Sequence, residues 1–121
     1  MGADALAYRV GVEEFREKYL EALVRDFDPS LVLAFGSRVR GDNLKGSDLD
    51  LIVVAEAFAG IPFPNRSFQV MERLDIVEAI DILCYTAEEF ERKREQIGIV
   101  RIAAREGAVI YRCETKEKND E

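Results

Sequence analysis

The chain has 121 residues, 48% apolar and 34% charged, the balance of one globular domain and not of a disordered tail or a membrane protein. Its 24 acidic and 17 basic side chains leave a net charge of -7, which argues against nucleic acid as a direct partner held on a broad basic surface. With no histidine in the chain, a Ser-His-Asp triad, a histidine-ligated metal and an imidazole base are all excluded, so acid-base work falls to carboxylates.

Cys84 and Cys113 stand far apart with no CxxC spacing, so neither a zinc site nor a disulfide framework is supported. They read as a reduced pair, with a single bridge between them left open. No apolar run reaches the roughly 20 residues that span a bilayer. The start Met1-Gly2-Ala3-Asp4-Ala5-Leu6 has neither a basic signal region nor the Ser or Thr of a myristoylation signal. A cytoplasmic protein without a membrane partner is expected.

From Val12 to Phe27, apolar residues recur at three- and four-residue steps, which predicts one helix with a buried face, stopped by Asp28-Pro29. Leu31 to Phe35 is a continuous apolar run ending at Gly36, a strand covered on both faces. A glycine-rich connection follows to about Ser47, then a second strand from Asp48 to Val54. Gly60, Pro62 and Pro64 mark a loop, and a short helix is expected from Ser67 to about Leu74. Ile80 to Tyr85 is a third strand. Thr86 with Glu89 three residues later forms a capping box that opens a charged helix. Helix continues, broken near Gly98, to Arg105, with Gly107 as its stop and Ala108 to Tyr111 as a last strand. A single domain over residues 1–121 is expected, with residues 112–121 as a flexible polar tail.

The chemistry concentrates between Gly36 and Leu51. A strand running into Gly36-Ser37 and a helical turn sets backbone N–H groups and a hydroxyl where an anion would sit, although a Gly-Ser turn alone is an ordinary strand end. Asp48 and Asp50, two apart on a strand, share a face roughly 7 Å apart. Like charges this close repel and lose hydration unless a cation lies between them, and magnesium with nucleotide phosphates meets that need. Asp81 interrupts an apolar strand, where a charge needs a partner; beside a strand carrying Asp48 and Asp50 it would complete a carboxylate trio. Asp75 or Glu78 takes that place if the strand boundary slips.

Gly36-Ser37, ten intervening residues, then Asp48-Leu49-Asp50 resembles the signature of the DNA polymerase beta nucleotidyltransferase superfamily, and the small size resembles its minimal nucleotidyltransferases. Gly41 and Arg40 fill the glycine and basic places of the pattern, and Ser47 precedes the aspartates as it often does in the family. The ending Glu106-Gly107-Ala108-Val109-Ile110-Tyr111 is also similar. The resemblance implies an α/β (α+β) nucleotidyltransferase fold, a small mixed β-sheet flanked by helices. It further implies that Gly36, Ser37, Arg40 and Ser47 bind the triphosphate of ATP as substrate. Asp48 and Asp50 would hold two magnesium ions, and Asp81 would help hold one and deprotonate the attacking hydroxyl. Arg38 and Lys45 read equally well as solvated loop cations.

Larger relatives carry added domains for the acceptor, and 121 residues leave no room for one. Small members of the family are often paired with a helical HEPN-domain toxin, as its antitoxin, and some add AMP to a tyrosine of that partner. The resemblance therefore implies AMP transfer to a partner protein. Glu88, Glu89, Glu91 and Glu95 on one helix suit a basic partner, or simply a solvated face. Two alternatives stand beside this reading. One is a binding module that silences a toxin by stoichiometric contact. The other is a small-molecule nucleotidyltransferase whose acceptor site forms at a homodimer interface.

Overall fold

The computed structural model describes residues 12–35, 49–77 and 80–113. Helical residues 12–15 lead into a π-helical segment, Arg16–Leu20, and then into α1, Glu21–Phe27. The expected continuous α-helix is thus widened by one π segment, the usual form of such insertions. Asp28 ends α1 in the left-handed region at φ 49°, its backbone N–H donating to the Val24 carbonyl at 3.0 Å. Aspartate tolerates that conformation better than most residues, and the following Pro29 cannot continue a helix.

Four strands form one mixed sheet in the order β3-β2-β1-β4: β1 Leu31–Phe35, β2 Leu49–Val54, β3 Ile80–Tyr85 and β4 Ala108–Arg112. β1 runs antiparallel to both β2 and β4, while β2 and β3 run parallel. The register between β1 and β4 slips by one residue after Val32, which leaves Ile110 as the extra residue of a bulge. β4 extends one residue beyond the expected Tyr111, and the Cys113 N–H donates to the Ser30 carbonyl at 3.0 Å.

After β2 the chain makes a short 3-10 turn, Glu56–Phe58, and enters α2, Phe63–Leu74. α2 begins four residues before the expected Ser67. Pro64, expected in the loop, stands in the first turn of the helix, where its missing N–H costs nothing. α3, Ala87–Glu95, opens on the expected capping box: Glu89 N–H donates to Thr86 Oγ1, and the Thr86 N–H donates to the Glu89 carboxylate. α4, Ile99–Glu106, follows the break at Gly98 and closes on Gly107.

Strand alternation divides the core into two layers. Leu49, Leu51 and Val53 face Phe15 and Leu23 of the first helical segment and Val70 and Leu74 of α2. Ile52 and Val54 face Phe90 of α3 and Val100 and Ala103 of α4. Helices on both faces bury β2 completely, which explains its near-continuous apolar run. Among the described residues both cysteines are free thiols, and no helix is long and apolar enough to cross a membrane.

Candidate functional site

Asp50 is the second residue of β2 and Asp81 the second of β3, and the parallel pairing puts them directly in register. Adjacent strands lie about 4.8 Å apart, so the two carboxylates leave neighbouring backbones side by side on one face. Phe35, the last residue of β1, is the partner of Asp50 on its other side. A row Phe35–Asp50–Asp81 therefore crosses the sheet at the end where β1 stops and β2 and β3 begin.

The two acids differ in setting. Asp50 is 2% exposed, in a central strand between β1 and β3. Burying a carboxylate requires compensation, and among the described residues every buried side-chain polar atom has a hydrogen-bond partner. Asp81 is exposed because β3 is an edge strand. The edge position admits water to its carboxylate. Its register with Asp50 is what brings it into the site.

A cleft of about 330 Å³ borders this row, lined by Phe35, Asp50 and Ile80 to Leu83 of the strands and by Ser67 and Met71 of α2. Of the expected site residues, Asp50 and Asp81 come together. Gly36, Ser37, Arg40, Ser47 and Asp48 lie outside the described residues, as do Arg38, Gly41, Lys45 and Glu78. Residues 36–48 lie in the chain between Phe35 of β1 and Leu49 of β2, next to Asp50. Asp75 sits elsewhere, as the left-handed cap that ends α2. Hard divalent cations prefer oxygen donors, and adjacent carboxylates repel unless a cation separates them, so the pair fits such an ion. Among the described residues no cluster of three or more His, Cys, Asp or Glu side chains forms.

Residues 16–119 match the nucleotidyltransferase domain family. The chain belongs to that family. A Haemophilus influenzae protein named "Probable protein adenylyltransferase MntA" is 32% identical over 83 residues, covering 67% of this chain and 70% of that protein. The fold is shared with a Sulfolobus solfataricus protein described as a "putative nucleotidyltransferase", with a TM-score of 0.56 at 24% identity over 74% of this chain and 78% of that one. The mixed four-stranded sheet with flanking helices is thus a nucleotidyltransferase fold, and the chain is a nucleotidyltransferase that moves a nucleoside monophosphate. The family works on nucleoside triphosphates with a divalent metal.

A second cluster was not legible in the sequence. Arg66 of α2 is buried and donates from Nε to the Ile61 carbonyl at 2.8 Å and from Nη1 to the Cys84 carbonyl at 3.1 Å. It also grips both oxygens of Glu89, at 2.6 and 3.1 Å. Glu89 therefore does not belong to a free acidic surface on α3. Glu88 pairs with Arg92 and Glu91 with Arg94 on the same helix, so the expected acidic face is largely neutralised from within. The signal that existed was the capping box, which marked Glu89 as an acceptor but could not name Arg66.

Proposed function

We propose that this nucleotidyltransferase transfers AMP from ATP to a hydroxyl of a partner protein, as the antitoxin of a HEPN-domain toxin, within a single domain spanning residues 1–121. The observation that carries the site is the in-register pair Asp50 and Asp81, with Asp50 two residues after Asp48 of the Gly36-Ser37 to Asp48 segment. The Haemophilus influenzae relative named as a probable protein adenylyltransferase supports a protein acceptor.

In this reading Gly36, Ser37, Arg40 and Ser47 hold the triphosphate through backbone N–H groups, hydroxyls and one guanidinium. Asp48, Asp50 and Asp81 are the ligands for two magnesium ions. When bound, magnesium neutralises charge on the attacking and leaving oxygens at the alpha phosphorus. Asp81, on the solvent side of the row, accepts the proton of the acceptor hydroxyl. The acceptor oxygen forms its bond to the alpha phosphorus as the bond to the bridging oxygen breaks, and pyrophosphate leaves with that electron pair. Buried Asp50 fixes the position of the row, since its backbone is held by β1 and β3 on both sides.

The test is transfer of alpha-labelled ATP, with magnesium, by the purified chain in the presence of its neighbouring gene product. Label should appear on that partner and vanish with the Asp48→Asn, Asp50→Asn double variant. Absence of label with every nucleoside triphosphate, while the double variant still binds and silences the partner, would replace transfer by stoichiometric contact.

A further inference from the structure

A second cleft, of about 370 Å³, opens at the other end of β3 between α2 and α3. Tyr85 and Asp81 share a face of β3 but are four residues apart, about 13 Å along the strand, so this cleft is separate from the acid row. One wall is aromatic. Phe63, 43% exposed, and Tyr85 have ring centroids 5.3 Å apart at 35°, and the Arg66 guanidinium stacks 5.8 Å from the centre of the Phe63 ring. Arg66 holds that ring in place but has little left to offer a ligand, because its donors go to Ile61, Cys84 and Glu89.

The other wall is polar and cationic. Arg92 and Lys93 of α3 and Gln96, the residue that caps its end, line it. The charges of Arg66 and Glu89 cancel in their ion pair, which leaves Lys93 and the surface-paired Arg92 as the remaining cations of the lining. Arg92 does meet Glu88 at 3.2 Å, but both side chains are largely exposed, and such pairs hold weakly. In a chain of net charge -7 this is a local reversal of sign.

We propose that this cleft binds a small heteroaromatic anion of the nucleoside monophosphate class, with its ring on Phe63 and Tyr85 and its phosphate at Arg92 and Lys93. The volume falls in the range of small-molecule pockets, about 300–1,000 Å³. Two cations match one phosphate. A bound ring would brace α2 against α3, the helices that Arg66 and Glu89 already tie. The proposal stands apart from the transferase reading, since no residue of the acid row takes part.

The experiment is calorimetric titration of the full chain with AMP in EDTA, with amide chemical shifts followed in parallel. AMP should bind at one site and shift Phe63, Lys93 and Gln96. Adenosine and inorganic phosphate should each bind at least tenfold more weakly. The Arg92→Glu, Lys93→Glu double variant changes exposed positions, so its circular dichroism should match wild type while its AMP affinity falls at least tenfold. Phe63→Ala should weaken AMP and adenosine alike, and Asp50→Asn should leave AMP binding unchanged. Failure of wild type to bind millimolar AMP would overturn the proposal. So would adenosine binding as tightly as AMP, full affinity in the charge-reversed variant, or loss of binding in Asp50→Asn.

Discussion

Arg66 and Glu89, 23 residues apart in the chain, meet as a two-point ion pair at 2.6 and 3.1 Å that joins α2 to the start of α3. Glu89 simultaneously receives the Thr86 N–H, so one carboxylate closes a helix cap and an interhelical tie. The Arg66 hydrogen bonds, and after them the Thr86 N–H, hold the Glu89 carboxyl down at about 2, against an ordinary 4.5.

A depressed carboxylate stabilises the fold above its unfolded value and loses that contribution as pH falls toward its folded value. The urea midpoint should therefore be flat from pH 7 to about 5 and decline from there toward about 2. Glu89→Gln leaves the buried Arg66 charge without its counter-ion. It should cost about 2–3 kcal/mol at pH 7 and flatten the acid decline. An acid profile identical in variant and wild type would remove Glu89 as its source.

The two thiols should separate in reactivity. Burial pushes the Cys84 thiol up to about 12, an effect that nearby Arg66 offsets only in part. Cys113 is half-buried at the end of β4. The thiolate is the nucleophile that attacks a disulfide reagent and expels its other half as a thiolate. At pH 8, a disulfide reagent should label one thiol quickly, and the Cys113→Ser variant should react at least about 100-fold more slowly than wild type. Equal rates would mean that the end of β3 opens readily.

Gly107 is held by contact and not by backbone conformation. A Cβ there would meet the Ala103 carbonyl oxygen at 2.6 Å and the Ala34 carbonyl oxygen at 3.0 Å, both backbone atoms that cannot swing away. Gly107→Ala should destabilise by about 1–3 kcal/mol, read as a lowered midpoint in thermal unfolding, by forcing α4 away from β1. An unchanged midpoint would show that the helix end relaxes freely.

What could be read in the sequence follows the range of the forces involved. Short-range periodicity located β1, β2 and β3, and the Thr86 and Glu89 spacing located the start of α3. Period-two alternation also put Asp50 on the face of Ile52 and Val54, opposite Leu49 and Leu51. Phe63 and Pro64 misled because proline signals a loop and a first helical turn equally well. The edge position of Asp81 and the reach of Arg66 to Glu89 depend on strand order and helix docking, which no local pattern encodes. The cationic lining around Lys93 is hidden for the same reason, since the pairs of Glu89 and Glu88 cross to α2 and run along α3.

The Asp50 and Asp81 pair is the central claim, and single-turnover transfer of alpha-labelled ATP by the two single variants tests it most directly. Asp50→Asn and Asp81→Asn keep the shape of each side chain, and near-ultraviolet circular dichroism would verify that each variant is folded. Loss of either carboxylate should lower the magnesium-dependent rate by at least about 100-fold, with raised magnesium recovering part of it. A folded Asp50→Asn variant that transfers at the wild-type rate would contradict the assignment of this row as the reactive centre.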